Sequence, residues 1–223
     1  MWKSRNNFVF NRKEQNPKLS LEIENQVMEF LCYVASPRSP ARNVIIGIRW
    51  EKPLAGWKKL NTDGSCVGRT GKAGCGGIIR DENGDWVAGF VRHIGVTNSF
   101  VAELWGLRDG LILCCDLNIP CVIVEVDAKV VVDVLKNTSY VNNVVSLLLD
   151  DYRQLVARLH QVQIKHCYRQ VNWCADLLAK MSVEQESDFV HFHGLLVDIL
   201  EFLHFDKNGL YVNRVCPIMA ASS

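Results

Sequence analysis

The chain changes rhythm near Trp57, where mixed sequence gives way to three strand-like runs, K-K-L-N-T-D-G-S-C, A-G-C-G-G-I-I-R-D and D-W-V-A-G-F-V-R-H-I-G. Between the last two, Glu82–Asp85 holds Asn-Gly, which tolerates the positive φ angles of a tight hairpin, so these runs are expected to pair antiparallel. Further on, Phe100, Leu104, Leu107, Leu111 and Cys115 recur at spacings of three and four. That period puts one apolar stripe on a helix capped by Asn98 or Ser99 and reaching Leu117. The run Cys121–Asp127 is apolar and β-branched almost throughout, as a central strand covered on both faces must be. Helices come next over Ala128–Lys136 and about 143–159, then a strand over Val162–Tyr168 and a helix over Asn172–Met181. The order βββαβααβα predicts an α/β fold: a mixed five-stranded sheet, first three strands antiparallel and later ones parallel, flanked by helices.

The flanks read differently. A helix is expected over Leu19–Val34, and S-P-R-S-P at Ser36–Pro40 separates it from the strands beyond. Pro53 and the A-G-W after it place a boundary between Val44 and Trp57. The expected organisation is an N-terminal extension or linker over 1–50, a core domain over 57–182 and a tail over 183–223.

Composition adds constraints. With 48% hydrophobic and 22% charged residues the chain lies far from the composition of disorder. Its 25 basic and 24 acidic residues leave a net charge of +1, so affinity for nucleic acid must come from local arrangement. The nine cysteines form no C-x-x-C pair and no short Cys/His cluster, and read as reduced thiols, most of them in the core. The start M-W-K-S-R-N-N lacks the apolar run of a secretory signal, and the apolar stretch Leu195–Leu203 is interrupted by Asp198 and Glu201. A soluble, intracellular monomer with no membrane partner is expected, and no dense basic run separates nucleus from cytoplasm.

Four acids occupy unusual settings. Asp63 stands within the first strand, Glu103 in the first turn of the first helix, Asp127 at the end of the most apolar strand, and Asp176 among Trp173, Ala175, Leu177 and Leu178. Each has an ordinary explanation: a strand-end turn for Asp63 and Asp127, the helix dipole for Glu103, a solvated helix face for Asp176. If they converge, their mutual repulsion calls for cations. Oxygen ligands with room for water favour Mg²⁺ or Mn²⁺, and two such ions about 3.5 to 4 Å apart can hold the attacking water and the leaving oxygen of a phosphodiester.

Taken together, N-T-D-G-S, V-A-E-L-W-G-L, V-E-V-D-A-K and R-Q-V-N-W-C-A-D-L-L-A-K resemble, in order, the signature segments of ribonuclease H type 1. The likeness is greatest to the reverse-transcriptase-like, ribonuclease H-like domains of plant non-LTR retroelement polyproteins and the stand-alone genes derived from them. It covers Trp57–Ser182 and implies a ribonuclease H-like fold. It also implies that Asp63, Glu103, Asp127 and Asp176 are the catalytic, metal-binding acids, holding two Mg²⁺ ions for which Mn²⁺ substitutes. The substrate would be the RNA strand of an RNA/DNA hybrid, cut to 5′-phosphate and 3′-hydroxyl ends. Gly64, Ser65, Ser99, Lys129, Arg169 and Asn172 are the candidate nucleic-acid contacts; Arg69 and Lys72 join them as backbone contacts, though each of these cations also reads as a solvated charge. The stretch W-K-S-R-N-N-F-V-F resembles the segment preceding this domain in such polyproteins, which implies that 1–50 is a retroelement remnant or connector and that the Phe189–Val215 segment with D-K-N-G is a family-like tail.

The chain departs from that pattern in places. Where many members have Arg-Glu-x-Asn, it has Arg169, Gln170, Val171 and Asn172, and Ser99 and Phe100 stand where some place an Asn pair. No histidine-bearing loop precedes the last helix; His166 lies on the strand and reads as structural or surface. V-S-L-L-L-D-D-Y-R is no basic handle, so affinity for a hybrid should be modest and salt-sensitive. Gly74, Gly76 and Gly77 precede no G-K-S/T and fit close strand packing, and Trp173 fits a core aromatic. Three readings stay open: an active hybrid nuclease, an inactive binding or interaction module derived from a retroelement, and a superfamily member acting on DNA or structured RNA.

Overall fold

The computed structural model describes residues 43–68, 70–137 and 144–217. The expected helix over Leu19–Val34, the Ser36–Pro40 break, Cys32 and Arg69 lie outside those residues. Val44–Cys216 forms one compact unit. Its strands are β1 (Asn43–Ile48), β2 (Lys58–Cys66), β3 (Lys72–Arg80), β4 (Trp86–Val96), β5 (Cys121–Val126), β6 (Gln161–His166), β7 (Phe189–Phe192) and β8 (Val212–Pro217). The helices are α1 (Ser99–Asp116), α2 (Lys129–Lys136), α3 (Ser146–Arg158), α4 (Trp173–Val183) and α5 (Leu200–Lys207). From β2 to α4 the order is the expected βββαβααβα.

The main sheet has six strands in the order β6-β5-β2-β3-β4-β7, and β1 pairs with β8 in a separate two-stranded ribbon. The meander β2-β3-β4 is antiparallel, and β5 and β6 add in parallel on the β2 side. The sixth strand was not anticipated: β7 comes from the tail and pairs antiparallel with β4, covering an edge that would otherwise be open. In the β3–β4 turn, Gly84 has φ 81° while Asn83 stays at negative φ. The Asp81 carboxylate does the rest, accepting from the backbone N–H of Asn83 at 2.9 Å and of Asp85 at 2.8 Å.

Two glycines set how closely helices approach. A Cβ on Gly64 would lie 2.3 Å from Glu103 N of α1, and one on Gly76 would lie 2.6 Å from Ala179 N of α4. Neighbouring strand residues point to opposite faces, so α1 and α4 cover opposite sides of the sheet. On the α4 side, Ile78, Val91, Cys174 and Leu178 pack with Ile199 and Leu203 from the tail. Each such side chain contributes about 1.5–3 kcal/mol by leaving water.

Beside that cluster the same face is polar. Arg80, 1% exposed, donates from Nη1 to Asp206 Oδ2 at 2.7 Å and from Nη2 to Asn61 Oδ1 at 2.7 Å. The buried Trp50 indole lies over its guanidinium at 3.7 Å and donates to Asn61 Oδ1 at 3.1 Å. Lys59 pairs with Glu125 at 2.6 Å. Packing therefore reaches upstream to Trp50 and downstream to Asp206. The described cysteines are all free, and no described helix is long and apolar enough to cross a membrane.

Candidate active site

The site lies where the parallel strands β2 and β5 deliver their carboxyl ends. In the β2–β5 register Thr62 faces Val126, so the next residue on each strand, Asp63 and Asp127, come side by side. Glu103 reaches them from α1 because Gly64 lets that helix settle onto β2. Asn98 caps α1, accepting from Val101 N at 2.9 Å; Ser99 is the first helical residue. Glu103 consequently falls beyond the first turn, and the helix dipole does not explain it.

Asp63, Glu103 and Asp127 each offer a carboxylate oxygen, and these oxygens all lie within 4.8 Å of one another. Asp63 and Glu103 are buried, and Asp63 Oδ1 and Glu103 Oε2 have no hydrogen-bond partner. Burial, with Asp127 and Asp176 adding repulsion, pushes the Asp63 carboxyl up to about 8, and burial with Asp63 beside it raises Glu103 well above the ordinary range.

Asp176 occupies the first turn of α4, partly exposed and ion-paired with Lys180. It lies outside the three-carboxylate cluster but near enough to repel Asp63. Four expected acids thus resolve into a tight group of three with a fourth beside it.

The candidate nucleic-acid contacts divide. Asn172, expected to contact nucleic acid, is turned inward: only 1% exposed, it donates to the Thr62 carbonyl at 3.0 Å and accepts from Asn61 Nδ2 at 3.2 Å. Its amide is used in locking the start of α4 to the residue before Asp63, and none of it faces outward. Gly64 is half-buried and is needed for close packing. Ser65 is half-buried near the end of β2, and Ser99 is exposed. Lys129 is exposed but paired with Asp133 at 2.6 Å. Arg169 lies at the acids, its Nε 3.3 Å from Asp127 Oδ2 and its side chain 74% exposed.

His166 ends β6 exposed, and its Nε2 donates to the Asp127 carbonyl oxygen at 3.1 Å in the tautomer this contact requires. Trp173 packs between Phe202 and Phe205 of the tail. Gln170 Oε1 accepts from Arg214 Nη1 at 2.8 Å, and the same guanidinium lies over Tyr168. Neither Tyr168 nor Arg214 stands out in the sequence: the partners come from segments far apart in the chain, and no motif links them.

Residues 61–182 match the family described as reverse transcriptase-like. A relative from Arabidopsis thaliana, whose name assigns it provisionally to ribonuclease H, is 34% identical over 175 residues. That match takes in 74% of this chain and 28% of the relative, so the chain spans little more than a quarter of its relative's length. Among solved structures, the N-terminal ribonuclease H domain of a Mycobacterium tuberculosis protein superposes with a TM-score of 0.55 at 24% identity, over 57% of this chain and 94% of that one. Ribonuclease H1 of Halobacterium salinarum gives 0.54 at 23% identity, over 57% and 98%. The LC11 ribonuclease H1, solved with an RNA/DNA hybrid, gives 0.53 at 22% identity, over 57% and 96%. Over more than half its length, then, this chain belongs to the reverse transcriptase-like family and has the ribonuclease H-like fold.

Proposed function

We propose that the domain is a metal-dependent endonuclease that hydrolyses the RNA strand of RNA/DNA hybrids by a two-metal mechanism. One observation carries the reading: two buried carboxyls, Asp63 and Glu103, each present an oxygen without a partner beside Asp127. An unsatisfied buried acceptor costs about 1–3 kcal/mol, and a cation bound between the two would offset both costs, which supports the reading. The donor set is all oxygen, which suits Mg²⁺ or Mn²⁺ over softer metals.

Asp63, Glu103 and Asp127 would hold one ion, and Asp63 with Asp176 would hold the second. Bound there, the ions would activate a water and neutralise charge on the phosphate. The chain's own residues prepare the rest. The Asn172 bonds fix Asp176 and Asp63 relative to each other, and the close approach at Gly64 fixes Glu103. Arg169, at the rim beside Asp127, offers a guanidinium to a phosphate oxygen. Water oxygen bonds to phosphorus, the bond to the 3′ oxygen breaks, and that oxygen takes up a proton, leaving 5′-phosphate and 3′-hydroxyl ends. The hybrid bound in the LC11 structure supports this choice of substrate.

The test incubates the protein with a labelled RNA/DNA hybrid in Mg²⁺ and in Mn²⁺ beside Asp127→Asn. RNA cleavage by the parent and not by the variant is expected. Hybrid binding without cleavage would replace the reading with a binding module, and cleavage that survives Asp127→Asn would move the chemistry elsewhere.

A further inference from the structure

The segment between β6 and α4 carries the rim of the site, and it is gripped from outside residues 61–182. From one side, Trp50 packs with Cys167 and Val171 in a buried cluster, with Ile48 against it. From the other, β8 supplies Arg214, whose guanidinium carbon lies 4.0 Å from the centroid of the Tyr168 ring. The same side chain donates from Nη1 to Gln170 Oε1 at 2.8 Å. Arg214 is itself half-buried, so its plane is set by the stack and the bond together.

Between Tyr168 and Gln170 stands Arg169. It makes one 3.3 Å contact, to Asp127, and its side chain is 74% exposed. Its own packing cannot aim it, so its direction depends on the backbone from which it leaves. That backbone is held because both neighbours of Arg169 are bound by one residue of β8. A guanidinium held in direction loses less freedom when it meets a phosphate, and binding is tighter by that amount.

We infer that Arg214 is a positioning residue: by holding Tyr168 and Gln170 it aims Arg169 at the phosphate edge of the acid cluster. The inference rests on the nuclease reading above. It makes the tail strand β8 part of the working site, although the family match ends at residue 182.

The experiment uses the full chain and compares the parent with Arg214→Ala, Arg214→Lys, Arg169→Ala and the double variant Arg169→Ala/Arg214→Ala. Hydrogen exchange over residues 166–172 is measured without substrate, and kcat and KM are measured on a labelled RNA/DNA hybrid in Mn²⁺. Arg214→Ala should speed exchange and raise KM about fivefold, the scale of ordering one long side chain on binding, with kcat within about twofold. Arg214→Lys should not rescue it, since an ammonium lacks the plane that stacks on Tyr168. In the Arg169→Ala background, Arg214→Ala should change KM by less than about twofold, because the group it aims is gone.

Additive effects of the two substitutions would overturn the inference, as would unchanged exchange. If Arg214→Ala does not fold, Gln170→Ala removes only the 2.8 Å bond and carries the same comparison. A parent that cleaves no hybrid would end the nuclease reading. Exchange over 166–172 would then still decide the brace: unchanged exchange rejects it and faster exchange keeps it.

Discussion

Gly64 and Glu103 meet backbone to backbone, so that a methyl group on the glycine would lie 2.3 Å from Glu103 N and 2.5 Å from the Ala102 carbonyl carbon. Neither atom can swing away, because both belong to the helix. Gly64→Ala must therefore push α1 off the sheet or be refused by the fold. We expect a loss of about 2–3 kcal/mol in urea unfolding. Cleavage should fall by roughly a hundredfold, since an ångström of displacement in a catalytic group costs about that much. A variant with parental activity would mean that Glu103 is not held by this approach.

Asp63→Asn should separate activity from stability. Without a cation the parent crowds buried carboxyls, and their mutual repulsion opposes folding. An amide at Asp63 donates to Glu103 and removes one of the charges. The cation-free variant at pH 8 should be more stable by about 1–2 kcal/mol, and Mg²⁺ should raise the thermal midpoint of the parent but not of the variant. Cleavage should drop about a thousandfold. If Asp63→Asn is instead less stable without cation, the cluster is satisfied internally and is not waiting for a metal.

The sign of the pH dependence comes from the same carboxyl. Asp63 is raised from an ordinary 3.8 to about 8 in the folded protein, so between those values the folded chain holds a proton that the unfolded chain has released. Its contribution to stability is complete below about pH 4 and is lost as pH rises through about 8, at a slope of up to roughly 1.4 kcal/mol per pH unit. The thermal midpoint in EDTA should fall from pH 6 to 8.5, and Mg²⁺ should reverse the fall. Calorimetry in buffers of different ionisation heat should show protons released on cation binding at pH 7. A midpoint in EDTA that does not fall over that range would contradict the buried, protonated pair.

The same geometry separates what is legible in the sequence from what is not. The β2–α4 order is legible because each element declares its own period, whereas the acids are singled out by their settings and by the resemblance, and only the fold brings Asp63, Glu103 and Asp127 within reach of one another. The inward role of Asn172 is not legible: the resemblance offers it as a nucleic-acid contact, and only the fold shows its amide bonded to Thr62 and Asn61. Asp206 and Arg214 were out of reach for a different reason. They lie 126 and 44 positions from Arg80 and Gln170, and a long-range ion pair or amide contact leaves no local periodicity. The strand β7 was missed because four residues are too few to establish alternation.

The Arg80–Asp206 pair provides the sharpest test of what the tail does for the fold. Both groups are almost fully buried, and Asp206 comes from α5, well beyond the matched residues. A guanidinium stripped of its carboxylate there keeps only Asn61 and the Trp50 face. Asp206→Ala should therefore cost about 3–5 kcal/mol in urea unfolding, because an uncompensated charge is left buried. The double substitution Arg80→Met/Asp206→Leu should recover most of that loss, since apolar residues of similar size need neither partner. Recovery would show that the ion pair contributes no more to stability than apolar packing of the same size. If the double variant stays as unstable as Asp206→Ala, the polar network itself supports the sheet beneath Asp63, and its loss should also lower cation affinity at the acids.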